Sequence, residues 1–170
     1  ARDRRRDSTG SGDDRLRIVI DPFARGTEGY FFGIAAGGSS ADGIVRAGNR
    51  PEMEWDCIWD VRTRVTAEGW VAEIEIPFRS IAFEPNQESW GFNIERVIRR
   101  KEEKLRWASP TRKKLLYAME GTGRITGMRD LKTGLGLDVR PSLVSRWRED
   151  MGGSNTFEIV PSIDAFFRVT

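Results

Sequence analysis

The last fifteen residues, TFEIVPSIDAFFRVT, alternate with a period of two. Phe157, Ile159, Pro161, Ile163, Ala165, Phe167 and Val169 fall on one side. Thr156, Glu158, Ser162, Asp164, Arg168 and Thr170 fall on the other, with Val160 and Phe166 as apolar exceptions. Successive side chains of a strand point to opposite faces, so the stretch reads as a β-strand with one apolar and one wet side. It is long beside the roughly 5–6 residues usual in soluble sheets. The segment LGLDVRPSLVSRW repeats the pattern, with Leu135, Leu137, Val139, Pro141, Leu143 and Trp147 against Asp138, Arg140, Ser142, Arg146 and Arg148. The polar stretch REDMGGSNT joins the two. The sequence therefore predicts two antiparallel strands over 135–147 and 157–169, with a loop over 148–156.

The preceding chain has a different texture, that of short strands separated by turn signals. RLRIVIDPF places Leu16, Ile18 and Ile20 on one side before Pro22 stops the strand. YFFGIAA is almost wholly apolar, as expected of a strand covered on both faces, and IVRA follows as a short strand. WDVRTRV and WVAEIEIPF alternate cleanly around TAEG, which predicts a hairpin turning at Gly69. Its apolar side carries Trp59, Val61 and Val65 facing Trp70, Ile74 and Ile76. FRSIAF suits one helical turn, WGFNIERVIRR is a further long strand, and KLRWAS is expected to pair with it. TRKKLLYAMEGTGRITGM carries little pattern and reads as a loop, with a short strand around Ile125. No amphipathic helix and no internal repeat is visible. Strands at this spacing predict an all-β chain: an incomplete, jelly-roll-like antiparallel β-sandwich followed by a long two-stranded hairpin.

Composition excludes several chemistries. The 28 basic and 26 acidic residues leave a net charge of +2, no footprint for nucleic acid despite a pI near 8.9. Histidine is absent, which removes Ser-His-Asp and Cys-His catalysis and His-ligated zinc or haem. Cys57 is alone, so no internal disulfide forms. No run of about 18 apolar residues is present to make a transmembrane helix. The chain begins at Ala1 without a signal peptide and ends inside a strand pattern. It is expected to be a fragment truncated at both ends. The basic runs RDRRR and RVIRRKEEK read as solvated faces. GTGRITG and GLGL precede no helix and make no phosphate loop.

Three central segments, IDPFARGTEGYFFGIAAGG, WDCIWDVRTRVTAEGWVAEIEIPFRSIAF and WGFNIERVIRRKEEKLRWASP, in this order and spacing, resemble the family 9 carbohydrate-binding module. They are similar in particular to bacterial envelope proteins that join such a module to an outer-membrane β-barrel. The resemblance implies an exposed lead-in at 1–12, a β-sandwich at 13–132 lacking its N-terminal part, and the first hairpin of a barrel at 133–170. It further implies a Gram-negative cell envelope, with the module periplasmic and the barrel in the outer membrane. Polysaccharide or envelope glycan is the implied partner. The family holds its sugar between two tryptophans, whose places here fall near Ser11 and Leu115, so both stacking walls are replaced. The polar positions near Arg17 and Gly33 also depart from the family's usual types.

Among the remaining aromatic residues, Trp55, in a loop before the hairpin, and Trp107 are the candidates for a replacement platform, since sugar stacking needs an exposed flat ring. Trp59, Trp70 and Trp90 lie on alternating apolar faces and read as core. Asp13, Asp14, Asp21, Glu28 and Asp42 gather around the first strands and turns. Oxygen-rich loops bind calcium, and modules of this type often carry it structurally, so Asp13, Asp14, Asp21 and Asp42 are the calcium candidates; no other cofactor is expected. Without ordered ligand spacing, capping and solvation of these carboxylates take precedence. Glu73 and Glu75 lie on one strand face about 6.6 Å apart, inside the roughly 5–9.5 Å of glycosidase carboxyl pairs. An i, i+2 pair on a wet sheet face is commonplace, however. Three classes therefore stand: a non-catalytic binding module of an outer-membrane barrel protein, the soluble carbohydrate-binding module of a secreted polysaccharide-active enzyme, and a glycoside hydrolase using Glu73 and Glu75. The first is preferred.

Overall fold

The computed structural model describes residues 12–111, 113–132, 137–149 and 155–167. Most of the lead-in with its RDRRR run, Ser11, Leu135, Arg168 and Val169 lie outside them. The chain divides into two compact units, 1–132 and 133–170.

The first unit is built on a six-stranded antiparallel sheet of β1 (Arg15–Asp21), β2 (Glu28–Ala35), β3 (Ser40–Arg46), β6 (Ser89–Ile98), β7 (Glu103–Arg106) and β8 (Gly123–Thr126). The order is β3-β2-β1-β6, after which β7 and β8 share the far edge of β6. β8 pairs with Ser89–Phe92 and β7 with Glu95–Ile98. Between them Asn93 takes over from the ladder: its Nδ2 donates to the Ala108 carbonyl at 2.7 Å and its Oδ1 accepts from the Ala108 amide at 3.0 Å. β4 (Asp60–Val65) and β5 (Trp70–Glu75) form a separate antiparallel pair. The turn is closed where the Thr66 amide donates to the Gly69 carbonyl at 2.7 Å.

β1 and β2 are buried on both faces; the apolar run of YFFGIAA foretells this for β2, whereas the one-sided pattern of RLRIVID does not for β1. One face carries Ile18, Ile20, Phe32 and Ile34, with Trp90, Ile81 and Phe83 in the same cluster. Against it pack Trp59, Val61, Trp70, Ala72 and Ile74 of the β4–β5 hairpin. This is the sandwich: six strands opposed by two. The register sets Val61 opposite Ile74 and Val65 opposite Trp70, the expected facing, although Val65 is exposed at the end of the pair. The FRS segment forms one 3-10 turn, Phe78–Ser80, as expected.

The other face carries Val19, Phe31 and Val45, covered by Leu116 and Met119. The stretch read as an uninformative loop thus supplies two of the most deeply buried side chains, Leu116 at 2% and Met119 at 1% exposure. Its approach is close enough to require glycine at position 29, where a Cβ would lie 2.2 Å from Met119 Cε and 2.4 Å from the Ile20 carbonyl oxygen.

The second unit is a hairpin of β9 (Leu137–Glu149) and β10 (Asn155–Phe167), thirteen residues each. Its strands run closer to the turn than the pattern suggests, because Arg148, Glu149, Asn155 and Thr156 continue the ladder.

The half-buried position of Ile74 against the first cluster generates a prediction. Ile74→Ala should lower unfolding free energy by about 2 kcal/mol, below the full value for a deeply buried isoleucine. Its exposed neighbour Val71 should tolerate alanine within about 0.5 kcal/mol. Urea denaturation of both variants measures the difference.

Candidate functional site

The register of the six-stranded sheet sets Arg17 of β1 opposite Glu95 of β6, and Glu95 opposite Arg106 of β7. The three side chains form a row across one face. Glu95 is only 2% exposed. Its Oε1 accepts from Arg17 Nη1 at 3.3 Å, and its Oε2 accepts from Arg106 Nε at 3.1 Å and Nη2 at 2.8 Å. A buried carboxylate needs compensation of this kind. Arg106 also donates from Nη1 to the Lys114 carbonyl at 2.5 Å, which ties the 113–119 segment down over the sheet.

Above this row a cavity of about 600 Å³ opens between the sheet and two loops. The loop after β3 contributes Arg50 and Met53, and the covering segment contributes Leu115 and Tyr117. Lys104 of β7 completes a rim of four cations around one carboxylate. The volume lies within the roughly 300–1,000 Å³ of small-ligand sites. Tyr117 packs edge-on against Phe31 at 5.9 Å. Burial pushes its phenol pKa above the ordinary tyrosine value, with Arg17 opposing the shift. Arg15, also on this face of β1, has its pKa lowered first by burial and then by repulsion from Arg17. The cavity wall includes Leu115, 63% exposed, one of the two places near which stacking walls are expected to be replaced. The place near Ser11 lies outside the described residues.

Of the two aromatic candidates, Trp55 is folded inward. It is half-buried, its ring 4.9 Å from Tyr30, and it packs against the first core cluster. Trp107 remains 58% exposed. Its ring contacts Phe92 at 5.8 Å and lies over Gly123, where a Cβ would come within 2.4 Å of Cζ3. Phe92 packs into the cluster of Ile18 and Ile20, so Trp107 flanks the sheet face opposite to the cavity. The structure does not bring the two candidates together. Trp59, Trp70 and Trp90 pack in or against the core as expected.

Three of the four calcium candidates, Asp14, Asp21 and Asp42, accept hydrogen bonds within the fold. Asp21, 1% exposed, accepts from the Phe23 and Gly26 amides at 3.1 and 2.7 Å and so closes the turn into β2. Asp42, equally buried, accepts from the Cys57 amide at 2.9 Å and from Trp59 Nε1 at 3.0 Å, fastening the start of the hairpin to the sheet. Asp14 accepts from the Arg99 amide at 2.7 Å. Asp13 and Asp14 share a shallow depression with Glu68. Among the described residues no three carboxylates gather as a metal site would need. Glu73 and Glu75 are exposed on β5, with Arg62 and Asp60 opposite them on β4.

In the second unit the register sorts the two faces. Trp147 meets Phe157, Leu143 meets Pro161, Pro141 meets Ile163 and Val139 meets Ala165 on one face. Arg146 meets Glu158, Ser142 meets Ser162 and Arg140 meets Asp164 on the other. Arg146 and Glu158 approach to 3.6 Å, and the two serine hydroxyls share a hydrogen bond at 2.6 Å. Leu143, Trp147 and Ile163 are all more than 60% exposed.

No protein-family model, curated protein or solved structure matches the chain.

Glu95 and Tyr117 make the cavity testable. Glu95→Gln removes the only carboxylate between Arg17 and Arg106 and should cost about 2–3 kcal/mol, less than for a fully enclosed pair because both arginines reach water. Guanidinium unfolding measures it. For Tyr117, a folded pKa above the unfolded one stabilises the neutral phenol. That contribution is fully present below pH about 10 and is lost as pH rises through the folded value. Tyr117→Phe should therefore flatten the alkaline decline in stability above about pH 10, and the tyrosinate absorbance of the parent should show one late-titrating group.

Proposed function

We propose that the chain is a non-catalytic, carbohydrate-binding-like module of a bacterial cell-envelope protein, continuous through residues 133–170 with an outer-membrane β-barrel. The observation that carries the proposal is the two-faced hairpin of β9 and β10. Thirteen residues at about 3.3 Å each extend about 43 Å, or about 30 Å at a 45° tilt, enough to cross a hydrocarbon core. Transmembrane barrel strands alternate apolar residues toward lipid and polar residues toward the lumen. Val139, Leu143, Ile159 and Ile163 would then face lipid, while Arg140, Arg146, Glu158 and Asp164 face the lumen in opposed pairs. Lipid contains no donors or acceptors for an open sheet edge, so the hairpin requires strand neighbours on both sides.

For the sandwich unit, support comes from the resemblance of its three central segments to family 9 modules and from the cavity over Glu95, which could hold an envelope glycan. The usual stacking walls are replaced, so affinity for neutral xylan or cellulose oligomers should be weak. Exposure supports the non-catalytic reading over the Glu73/Glu75 hydrolase: general acids are commonly tuned by burial, and Glu73 and Glu75 lie in water.

The decisive experiment is assembly in the intact envelope protein. Ile163→Arg should block heat-modifiable barrel formation in the outer membrane, because a lipid-facing arginine near mid-membrane costs about 2–4 kcal/mol. Asp164→Asn, one residue away on the other face, should assemble normally. Equal tolerance of both would overturn the barrel assignment. In the isolated chain, deletion of residues 133–170 should improve solubility and leave the unfolding transition of the sandwich in place.

A further inference from the structure

We infer that the cavity over Glu95 takes a saccharide carrying an oxyanion, a carboxylate or a phosphate, rather than a neutral glycan. The inference rests on the glycan-binding assignment of the module and names the ligand class of that site.

The charge arrangement leads there. Glu95 engages Arg17 and Arg106, which leaves Arg50 and Lys104 at the rim without an ion pair among the described residues. Arg17 retains a further donor, a buried Nε that has no hydrogen-bond partner among the described residues. The buried Nε is out of a ligand's reach; what the site offers is excess positive charge at its floor and two cations at its rim. An oxyanion on the ligand would satisfy them with charge-assisted bonds, and the planar guanidinium of Arg50 suits two-point contact with a carboxylate or phosphate. A neutral sugar would make no charge-assisted bond with these cations. Leu115 and Tyr117 supply an apolar wall for the body of the ring, and the Tyr117 hydroxyl can bond to a sugar hydroxyl. An aromatic sandwich is not needed where charge fixes the ligand.

Calorimetry of the full 170-residue chain in mild detergent tests this with four probes: trigalacturonate, glucose 6-phosphate, maltotriose and inorganic phosphate. The expected result is binding of at least one anionic sugar about tenfold or more tighter than maltotriose, weakening several-fold as sodium chloride rises toward about 0.2 M. The trigalacturonate and glucose 6-phosphate arms distinguish a carboxylate source from a phosphate source. The Arg50→Gln/Lys104→Gln double variant, altered only at exposed positions, should keep its melting temperature and lose about tenfold in affinity for the anionic sugar. Binding of maltotriose as tight as that of the anions would overturn the charge preference while leaving the glycan assignment. Inorganic phosphate binding as tightly as glucose 6-phosphate would overturn the sugar requirement. Absence of binding by any probe would overturn both the inference and the glycan assignment, and anion binding unchanged in the double variant would overturn this cavity as its place.

Discussion

Two adjacent strands, β1 and β2, are buried on both faces, and the rest of the first unit follows from covering them. Val19, Phe31 and Phe32 are each no more than 2% exposed, and side chains of this size contribute about 1.5–3 kcal/mol apiece when fully buried. A sheet of six strands cannot collect that contribution alone, because each face needs an apolar surface against it. The β4–β5 hairpin serves one face and the 113–122 segment the other. The two covers differ in kind. The hairpin is regular and presents an alternating face, whereas the segment is irregular and inserts Leu116 and Met119 individually.

That difference explains the position of the cavity. An irregular cover leaves a hollow over part of the second face, and the row of Arg17, Glu95 and Arg106 lines it. Glu95 cross-links three strands and, through Arg106 and the Lys114 carbonyl, the cover itself. The same ion row is thus the floor of the candidate site and a fastening of the fold, so site chemistry and stability are coupled. The rim cations Arg50 and Lys104 carry no comparable structural duty and are where ligand preference can vary at little cost in stability.

Much of this architecture is legible in the sequence wherever local alternation decides the structure. The β4–β5 hairpin, the two-face burial of β2, the pairing of β6 with β7 and the long C-terminal hairpin all follow from period and turn residues. What is illegible depends on contacts remote in the chain. In WGFNIERVIRR the alternation places Trp90, Phe92 and Ile94 inward and leaves Asn93, Glu95 and Val97 for solvent. All three are nonetheless buried, Asn93 through its two bonds to Ala108 and Glu95 between Arg17 and Arg106, partners the period does not reveal. The acidic cluster of Asp14, Asp21 and Asp42 is likewise a cluster only in sequence. Each carboxylate is consumed by backbone or indole N–H donors that no spacing rule reveals. Trp55 sits in a loop, yet its exposure is decided by Tyr30, twenty-five positions earlier.

The C-terminal hairpin obeys a different rule from the sandwich. In the sandwich a charged residue at a covered position is neutralised by long-range partners, as Glu95 is. In the hairpin two charges are met by a direct cross-strand neighbour, Arg146 by Glu158 and Arg140 by Asp164, while Asp138 falls opposite Phe166 and Arg148 opposite Thr156. Ion pairs in water add little stability, about 0–1 kcal/mol, so their value here lies in register. A slip of one residue would move one strand's charges onto the apolar face of the other. In water that slip would cost modestly, since both faces are wet. Against hydrocarbon it would be prohibitive, because each misplaced charge would meet lipid instead of its partner. A ribbon with paired charges on one face and Leu143, Ile159 and Ile163 on the other is thus specified far more sharply for a membrane than for solution, and this asymmetry is the physical argument behind the barrel proposal.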